Sequence, residues 1–553
     1  VENDNVVSST GTIEETRINS RDINSTLNIT LQQDLTEGIN ARLRVGNDIF
    51  DRDFNNVVST GNDFVTPLFY HLSNVRNISL NQSIRQRRLI GVYGDLLVNY
   101  NDYLFVNVTG RNDWSSTLPA DNRSFFYPSA SVGFSFSDIM DLPNFFTFGK
   151  LRASLSQVGK DAPVYATSNT YNTPSVFPLD GQLGFSRSNI RGSADLKPEL
   201  TTAIELGTDL RFLDNRLGLD FTWYKSNSKD QIFDVPISNA TGYSRIITNA
   251  GEIENQGFEL QLTGRPMQSQ NFVWDVTLNY SRNNSTVIEI AEGIENILVG
   301  SSFGYAGSSA SIQLLEGEAY GNIYGRSYQR YYPDGAPEDQ MFLDEDAPLL
   351  IGEDGFPVIN TDQLVLGNTQ PDWIGSINNS FSYKNLNLSF LIDAKWGLDV
   401  YSQYDNFFTA FGITESTLDR EDFRVFDGFT ADGERNTKEV WLGQGVGPDG
   451  VDYGAGFHRN RKRAATENFV VDASYIKLRN IRLGYDLPQN FISNFGFRNI
   501  NVSATATNII LYTPFDGFDP ESRAGGAGSN ADGFTALDYP GVASFFFSVN
   551  LSL

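Results

Sequence analysis

Polar residues on one side of extended segments are the groups in this sequence best placed to handle a solute. Asp220, Tyr224, Glu259, Asp275, Asp393 and Lys395 each fall opposite an apolar stripe. Repeated over neighbouring strands, such residues would line a water-filled space and hold a solute by charge and hydrogen bonds, without catalysis. A second group, Tyr401, Tyr404, Phe407, Phe408 and Phe411, follows the segment that ends at Trp396. Aromatic rings at a channel mouth can stack on sugar rings or apolar side chains. The alternative is a loop packed on itself.

Reactive constellations are scarce. Gly300-Ser301-Ser302-Phe303-Gly304 has the G-x-S-x-G spacing, and His458 follows in chain order. That motif needs a strand-to-helix turn, whereas this one lies in Gly/Ser-rich sequence with no helical period. The two histidines, His71 and His458, are far apart, and cysteine is absent, so no His-built or thiolate metal site is expected. Gly443 to Gly447 runs into Pro448-Asp449-Gly450, which reads as a turn rather than a phosphate cradle. Asp334, Glu338, Asp339, Asp344, Glu345, Asp346, Glu353 and Asp354 offer oxygen ligands suited to Ca²⁺, but in no EF-hand register, which favours a solvated acidic loop. No enzyme activity and no cofactor are expected, and metal content stays open. Basic runs at Arg85, Arg87, Arg88 and at Arg459, Arg461, Lys462, Arg463 suit salt bridges or anionic lipid. A formal charge of −26 argues against nucleic-acid binding.

The elements that carry these residues alternate with period two. Leu217, Leu219, Phe221 and Trp223 oppose Gly218, Asp220, Thr222 and Tyr224; Phe272, Trp274, Val276, Leu278 and Tyr280 oppose Val273, Asp275, Thr277, Asn279 and Ser281. The same holds around Glu259, from Leu386 to Trp396, and from Phe545 to Leu553. Segments of about ten residues rise about 33 Å and, tilted, span roughly 25 Å of membrane. They are about twice the usual length of strands in a soluble sandwich. Aromatic content is 13% although mean hydropathy is −0.30, and no 18-residue apolar run exists. Trp274 and Tyr280 at stripe ends fit an interfacial girdle.

Short links at Leu213–Leu217, Tyr383–Asn387 and Tyr100–Tyr103 alternate with long polar stretches near 158–200, 228–254, 284–320, 333–371, 402–468 and 513–540. That is the asymmetry of short periplasmic turns and long extracellular loops. About fourteen to sixteen strands are predicted, beginning with Ile13–Ser20 and Asn24–Leu31. A phase change near Arg479 and Asn480 predicts a β-bulge. The fold expected is all-β, a large antiparallel transmembrane β-barrel occupying residues 1–553.

Several segments resemble SusC-like TonB-dependent transporters of the Bacteroidetes outer membrane. They are Gly110–Pro119 with Phe126–Phe134, Leu196–Leu210, Asn249–Leu260, Leu366–Ser376, Ser474–Pro488, Asn508–Glu521 and Asp538-Tyr539-Pro540, in the family's order. The closing strand departs from the pattern by ending in Leu553 rather than an aromatic residue. The resemblance implies a 22-stranded barrel with a plug domain, and nothing before residue 100 reads as a plug. The plug and first strands are therefore expected outside this chain, whose opening VENDNVVSST carries no signal-peptide pattern. It also implies uptake of an oligomeric nutrient, glycan or peptide, driven by a TonB-ExbB-ExbD complex. A SusD-like surface lipoprotein would act as lid, and a dimer of barrel–lid pairs would fit, embedded in bilayer and lipopolysaccharide. A passive porin and a structural or adhesive barrel are the rival readings.

Overall fold

The computed structural model describes residues 11–172, 184–302, 309–337, 340–493, 496–517, 519–522, 532–535 and 539–552. Among them is one large antiparallel sheet of 16 strands. Its main path runs through β1 (Thr12–Thr36), β2 (Ile39–Phe64), β3 (Val75–Tyr100), β4 (Leu104–Ser115), β5 (Ser124–Ser135) and β6 (Phe146–Lys160). It continues through β7 (Glu199–Phe212), β8 (Leu217–Pro236), β9 (Arg245–Gln268) and β10 (Phe272–Ile290). It ends with β11 (Trp373–Tyr383), β12 (Leu386–Trp396), β13 (Tyr475–Asp486), β14 (Asn499–Tyr512) and β15 (Ser544–Ser552). The pair Ile190–Arg191 joins β9 from the side.

Two compact units divide the chain. The first holds Val1–Ser135, Arg152–Glu205 and Ser226–Glu252; the second holds the remaining residues. In the first, register turns the alternating pattern into a continuous apolar row. Leu31 faces Leu43, Leu43 faces Leu96 and Leu96 faces Val108, and all four are exposed. The second unit repeats this with Tyr383, Leu386, Tyr485, Val502 and Val549. Its aromatic residues also step from strand to strand: Phe258 stacks on Tyr280, Tyr280 on Trp373, and Trp373 on Trp396. Rows of exposed large apolar side chains are costly in water and suited to lipid.

Short turns close the hairpins where the sequence places them. Residues 101–103, 213–216 and 384–385 each include left-handed non-glycine positions, supplied mostly by Asn and Asp. Gly38 (φ +83°) closes β1 onto β2, and a Cβ there would meet the Asn101 side chain at 2.1 Å.

The first predicted strand boundary is wrong. Ile13–Ser20 and Asn24–Leu31 belong to the single 25-residue β1. The polar residues between them are held by the ladder, where Arg52 clamps Asp22 with bonds of 2.9 and 2.6 Å. Polar stretches expected to be loops are in part strand. β8 reaches Pro236 and β9 starts at Arg245, so most of 228–254 is strand, tied by Asn227 to Glu252 at 2.8 Å. A backbone ladder needs no apolar side chains, so a hairpin can run on into water.

The long connections of the second unit are folded rather than loose. Ile297–Ser301, Ser311–Leu314, Asn322–Tyr328 and Ile359–Asn368 form a four-stranded sheet. Asp399–Ser402 pairs with both Val470–Asp472 and Phe534–Thr535. One core combines Ala310, Ile312 and Ile323 with Tyr401, Phe469 and Phe534. Another joins Leu398, Val400 and Tyr404 to Ala473 and Phe515. Three separate connections thus build one cap.

Candidate functional site

Within the second unit, Asn279, Ser376 and Asp393 are cross-strand neighbours on β10, β11 and β12. Gln261 donates to Asn279 at 2.9 Å, and Asn279 donates to Ser376 at 3.0 Å. With Asp220, Thr222, Glu259 and Ser281 these residues line a concavity of about 400 Å³. Three of the six predicted wall residues, Asp220, Glu259 and Asp393, therefore share one site. Tyr224 lies outside its lining and donates to Asn283 at 2.9 Å. Gly257 makes room for that ring, since a Cβ there would meet the Tyr224 hydroxyl at 2.6 Å. Asp275 pairs with Arg265 at 2.7 Å, and Lys395 sits between Ile374 and Tyr475; neither lines the concavity.

The aromatic group divides. Tyr401 is fully buried in the cap core, and Tyr404 is buried with its hydroxyl donating to the Asp516 carbonyl at 3.1 Å. Phe408 packs against the other core, that of Leu398, Val400, Tyr404, Ala473 and Phe515, while Phe407 and Phe411 keep their rings in solvent. A serine N-cap, Ser402, starts the helix Gln403–Thr409, which carries Phe407 and Phe408, and Phe411 follows just past its end.

Behind Asp393 stands a charged cluster that sequence reasoning did not find. The predicted bulge is present, because Leu478 and Asn480 pair on either side of an unpaired Arg479. The bulge aims Arg479 at Asp393 and at Glu521. Glu521 also accepts from Lys477 at 2.6 Å and Tyr475 at 2.6 Å, and Lys477 reaches Asp519 at 2.7 Å. Burial pushes the Glu521 pKa up, but the bonds from Arg479, Lys477 and Tyr475 together outweigh it and hold the carboxyl well below the usual glutamate range. The only advance signal was the phase change; of the partners of Arg479, Glu521 lies 42 residues on and Asp393 86 residues back.

Similar fasteners join other segments. In the first unit Asp161 accepts from Arg87 at 2.7 and 2.9 Å, Ser115 at 2.5 Å and Thr117 at 3.1 Å. Asn249 bonds the Lys197 N–H and carbonyl, at 2.9 and 3.0 Å, and the Asp230 carbonyl at 2.7 Å. The basic runs are used in the same way, with Arg88 paired to Asp51 at 2.5 Å and Arg461 to Asp354 at 2.7 Å. Asp161→Ala should leave the buried Ser115 and Thr117 hydroxyls with only each other, at 3.0 Å, and remove the Arg87 carboxylate partner, costing about 2–3 kcal/mol. Urea unfolding of the refolded barrel checks this; a change near zero would show that water replaces the carboxylate.

His458 lies buried on the turn Phe457–Lys462, its Nε2 2.7 Å from Asp419. It borders a cavity of about 450 Å³ that Arg420, Trp441, Gln444 and Arg459 also line. Burial lowers its pKa; Asp419 opposes that, while Lys462 and Arg424 reinforce it. A histidine with a lowered folded pKa destabilises the fold once pH drops below its unfolded value, so cap stability should fall as pH falls below about 6.5. Proteolysis of residues 403–465 should accelerate over that range, and His458→Gln should flatten the response. Among the described residues no group of three or more His, Cys, Asp or Glu could hold a metal. Asp344 caps its own turn, accepting from the Asp346 and Ala347 N–H groups. Glu338 and Asp339, with Phe303 and Gly304 of the G-x-S-x-G segment, lie outside the described residues.

Known proteins share this architecture. TonB-dependent receptor P3 of Formosa agariphila is 26% identical over 481 residues, covering 85% of this chain and 46% of the relative. TonB-dependent receptor SusC of Bacteroides thetaiotaomicron is 25% identical over 485 residues, covering 84% and 43%. The structure of the RagAB peptide transporter matches in fold, with a TM-score of 0.73 at 17% identity, covering 99% of this chain and 57% of that one. The chain spans about half the length of the curated relatives it matches. The family described as TonB dependent receptor-like, beta-barrel, matches residues 2–347. Its members are outer-membrane receptors and transporters rather than enzymes. This chain belongs to the TonB-dependent receptor-like β-barrel family of the bacterial outer membrane.

Proposed function

We propose that this chain supplies the wall and cap of an active importer that brings an oligomeric nutrient, a glycan or a peptide, across the outer membrane. Energy would come from a TonB-ExbB-ExbD complex acting on a plug domain that, with the first strands, lies outside residues 1–553. A SusD-like surface lipoprotein would close over the cap, in a dimer of barrel–lid pairs. The observation that carries the reading is the row of Asn279, Ser376 and Asp393, set on the face of the sheet opposite the apolar row. Asp220 and Glu259 line the same concavity, which supports a hydrogen-bonding lumen surface, and the exposed Phe407 and Phe411 would meet substrate at its mouth.

Uptake of labelled oligosaccharides and oligopeptides by cells making the full-length protein tests this. Uptake should saturate and stop when an uncoupler collapses inner-membrane energy. Transport that persists without energy would replace this reading with a passive porin, and no uptake of any probe would favour an adhesive or structural barrel.

A further inference from the structure

We propose that the cavity beside His458 is a binding site for a single sugar residue that carries one anionic substituent, a carboxylate or a sulfate. The inference concerns binding in the cap and does not rest on import.

The cavity is built by one connection, that between β12 and β13, and its walls are fixed from behind. Leu442, between Trp441 and Gly443, and Phe457, between Gly456 and His458, are anchored in a core with Ile351, Phe356, Phe426 and Val440. The Phe457 N–H donates to the Leu442 carbonyl at 3.1 Å, which ties the two walls together. Trp441 is held as firmly. Its Nε1 donates to the Glu421 carbonyl at 2.8 Å, Tyr453 meets its ring edge-on, and a Cβ at Gly443 would meet that ring at 2.2 Å. The volume of about 450 Å³ lies toward the small end of the ligand-site range, roughly 300–1,000 Å³. It suits one ring of a chain rather than the whole chain.

Three groups at this cavity have bonding capacity to spare. Acidic residues outnumber basic ones in the sequence by 67 to 41. Even so, Arg420 reaches only the Thr417 carbonyl, at 3.1 Å, and the Arg459 side chain has no bond among the described residues. The carboxylate of Glu421, which also lines the cavity, pairs with neither. Arg461 and Arg463 of the same basic run are used, on Asp354 and Asn406. His458 supplies the third group. Its Nε2 faces Asp419 at 2.7 Å, and its Nδ1 is buried with no partner among the described residues. With the proton on Nε2, toward the carboxylate, Nδ1 is an acceptor that lacks a donor.

These unused bonds describe the ligand. Two guanidiniums suit one oxyanion, held by charge-assisted and bidentate bonds. A buried acceptor is satisfied by a hydroxyl. Trp441 offers an indole face on which a pyranose can lie. An anionic sugar carries all three features on one ring. A neutral sugar would leave the arginines unused, and a peptide C-terminus would bring the anion without the ring.

The test titrates methyl glucuronide, a sulfated methyl glucoside, methyl glucoside and trialanine into the purified full-length protein, read by ligand-observed NMR. At least one anionic glycoside should bind about tenfold or more tightly than the neutral one, and which does so identifies the anion. Arg459→Gln and Arg420→Gln should each lower that affinity about tenfold. Arg459→Gln should also leave thermal stability unchanged, because the side chain holds nothing in the fold. Arg435→Gln, which removes a cap cation paired with Asp427 instead, should leave affinity within about twofold. Equal binding of the neutral glycoside, preference for trialanine, binding of no probe, or unaltered affinity in both cavity variants would overturn the proposal. A clear loss of stability in Arg459→Gln would also overturn it, assigning that side chain to the fold. Energised uptake is scored separately: binding without uptake would leave this site standing and remove the importer, and uptake without binding the reverse.

Discussion

Glu521→Gln should free the segment around residues 519–522 from the barrel wall and lower unfolding free energy by about 3 kcal/mol. The wild-type carboxylate takes four donors: Arg479 through two bonds of 2.5 and 2.6 Å, Lys477 at 2.6 Å and Tyr475 at 2.6 Å. Glutamine would turn one of its acceptors into a donor facing two cations. Lys477, which is buried, would keep only Asp519 at 2.7 Å, so part of its desolvation would go uncompensated. Urea unfolding measures the loss, and limited proteolysis near residue 522 locates it. The carboxyl titrates below the ordinary glutamate range, so its contribution is complete above the unfolded value and is lost as pH falls through the lower folded value. The wild-type latch should therefore survive mild acid and fail only in strong acid. An unchanged proteolysis pattern in the variant would mean that Tyr404 and Phe515 hold the segment alone.

The second large effect tests the membrane face. Leu96→Arg should cost about 2 kcal/mol or more, because the side chain would emerge within the lipid-facing row. Its neighbours Leu43 and Val108 are exposed and apolar, leaving the guanidinium no partner there. Thr109→Arg on the opposite face of β4 would meet Asp95 across the strand pair and should cost less than about 1 kcal/mol. Folding into bilayers, read by heat-modifiable migration, separates the two. Equal losses would mean that both faces see the same environment.

What could be read in advance depended on how far apart the cooperating residues lie. Alternation within ten residues gave strand type, and the turns at 101–103, 213–216 and 384–385 followed from local Asn and Asp chemistry. Arg479 announced its bulge by breaking that local phase. The continuity of β1 was hidden because Asp22 finds Arg52 only through the ladder. The Glu521 cluster and the cap were hidden for the same reason, as Ile312, Tyr401 and Phe534 meet across more than two hundred residues. Tyr401 and Phe411 look alike as aromatic residues ten apart, yet one is core and the other solvent; only the pairing of Asp399–Ser402 on both its edges decides between them.

The shared core of the cap also limits how such a surface can be redesigned. A grafted loop is usually treated as a module that leaves its scaffold alone. Here Ile312 and Ile323 come from one connection, Tyr401 and Phe469 from a second, and Phe534 from a third. Replacing any one connection would leave the other two with a hole in their common interior. Recombination or engineering that changes what this surface recognises must therefore move all three connections together, as a single inheritable block.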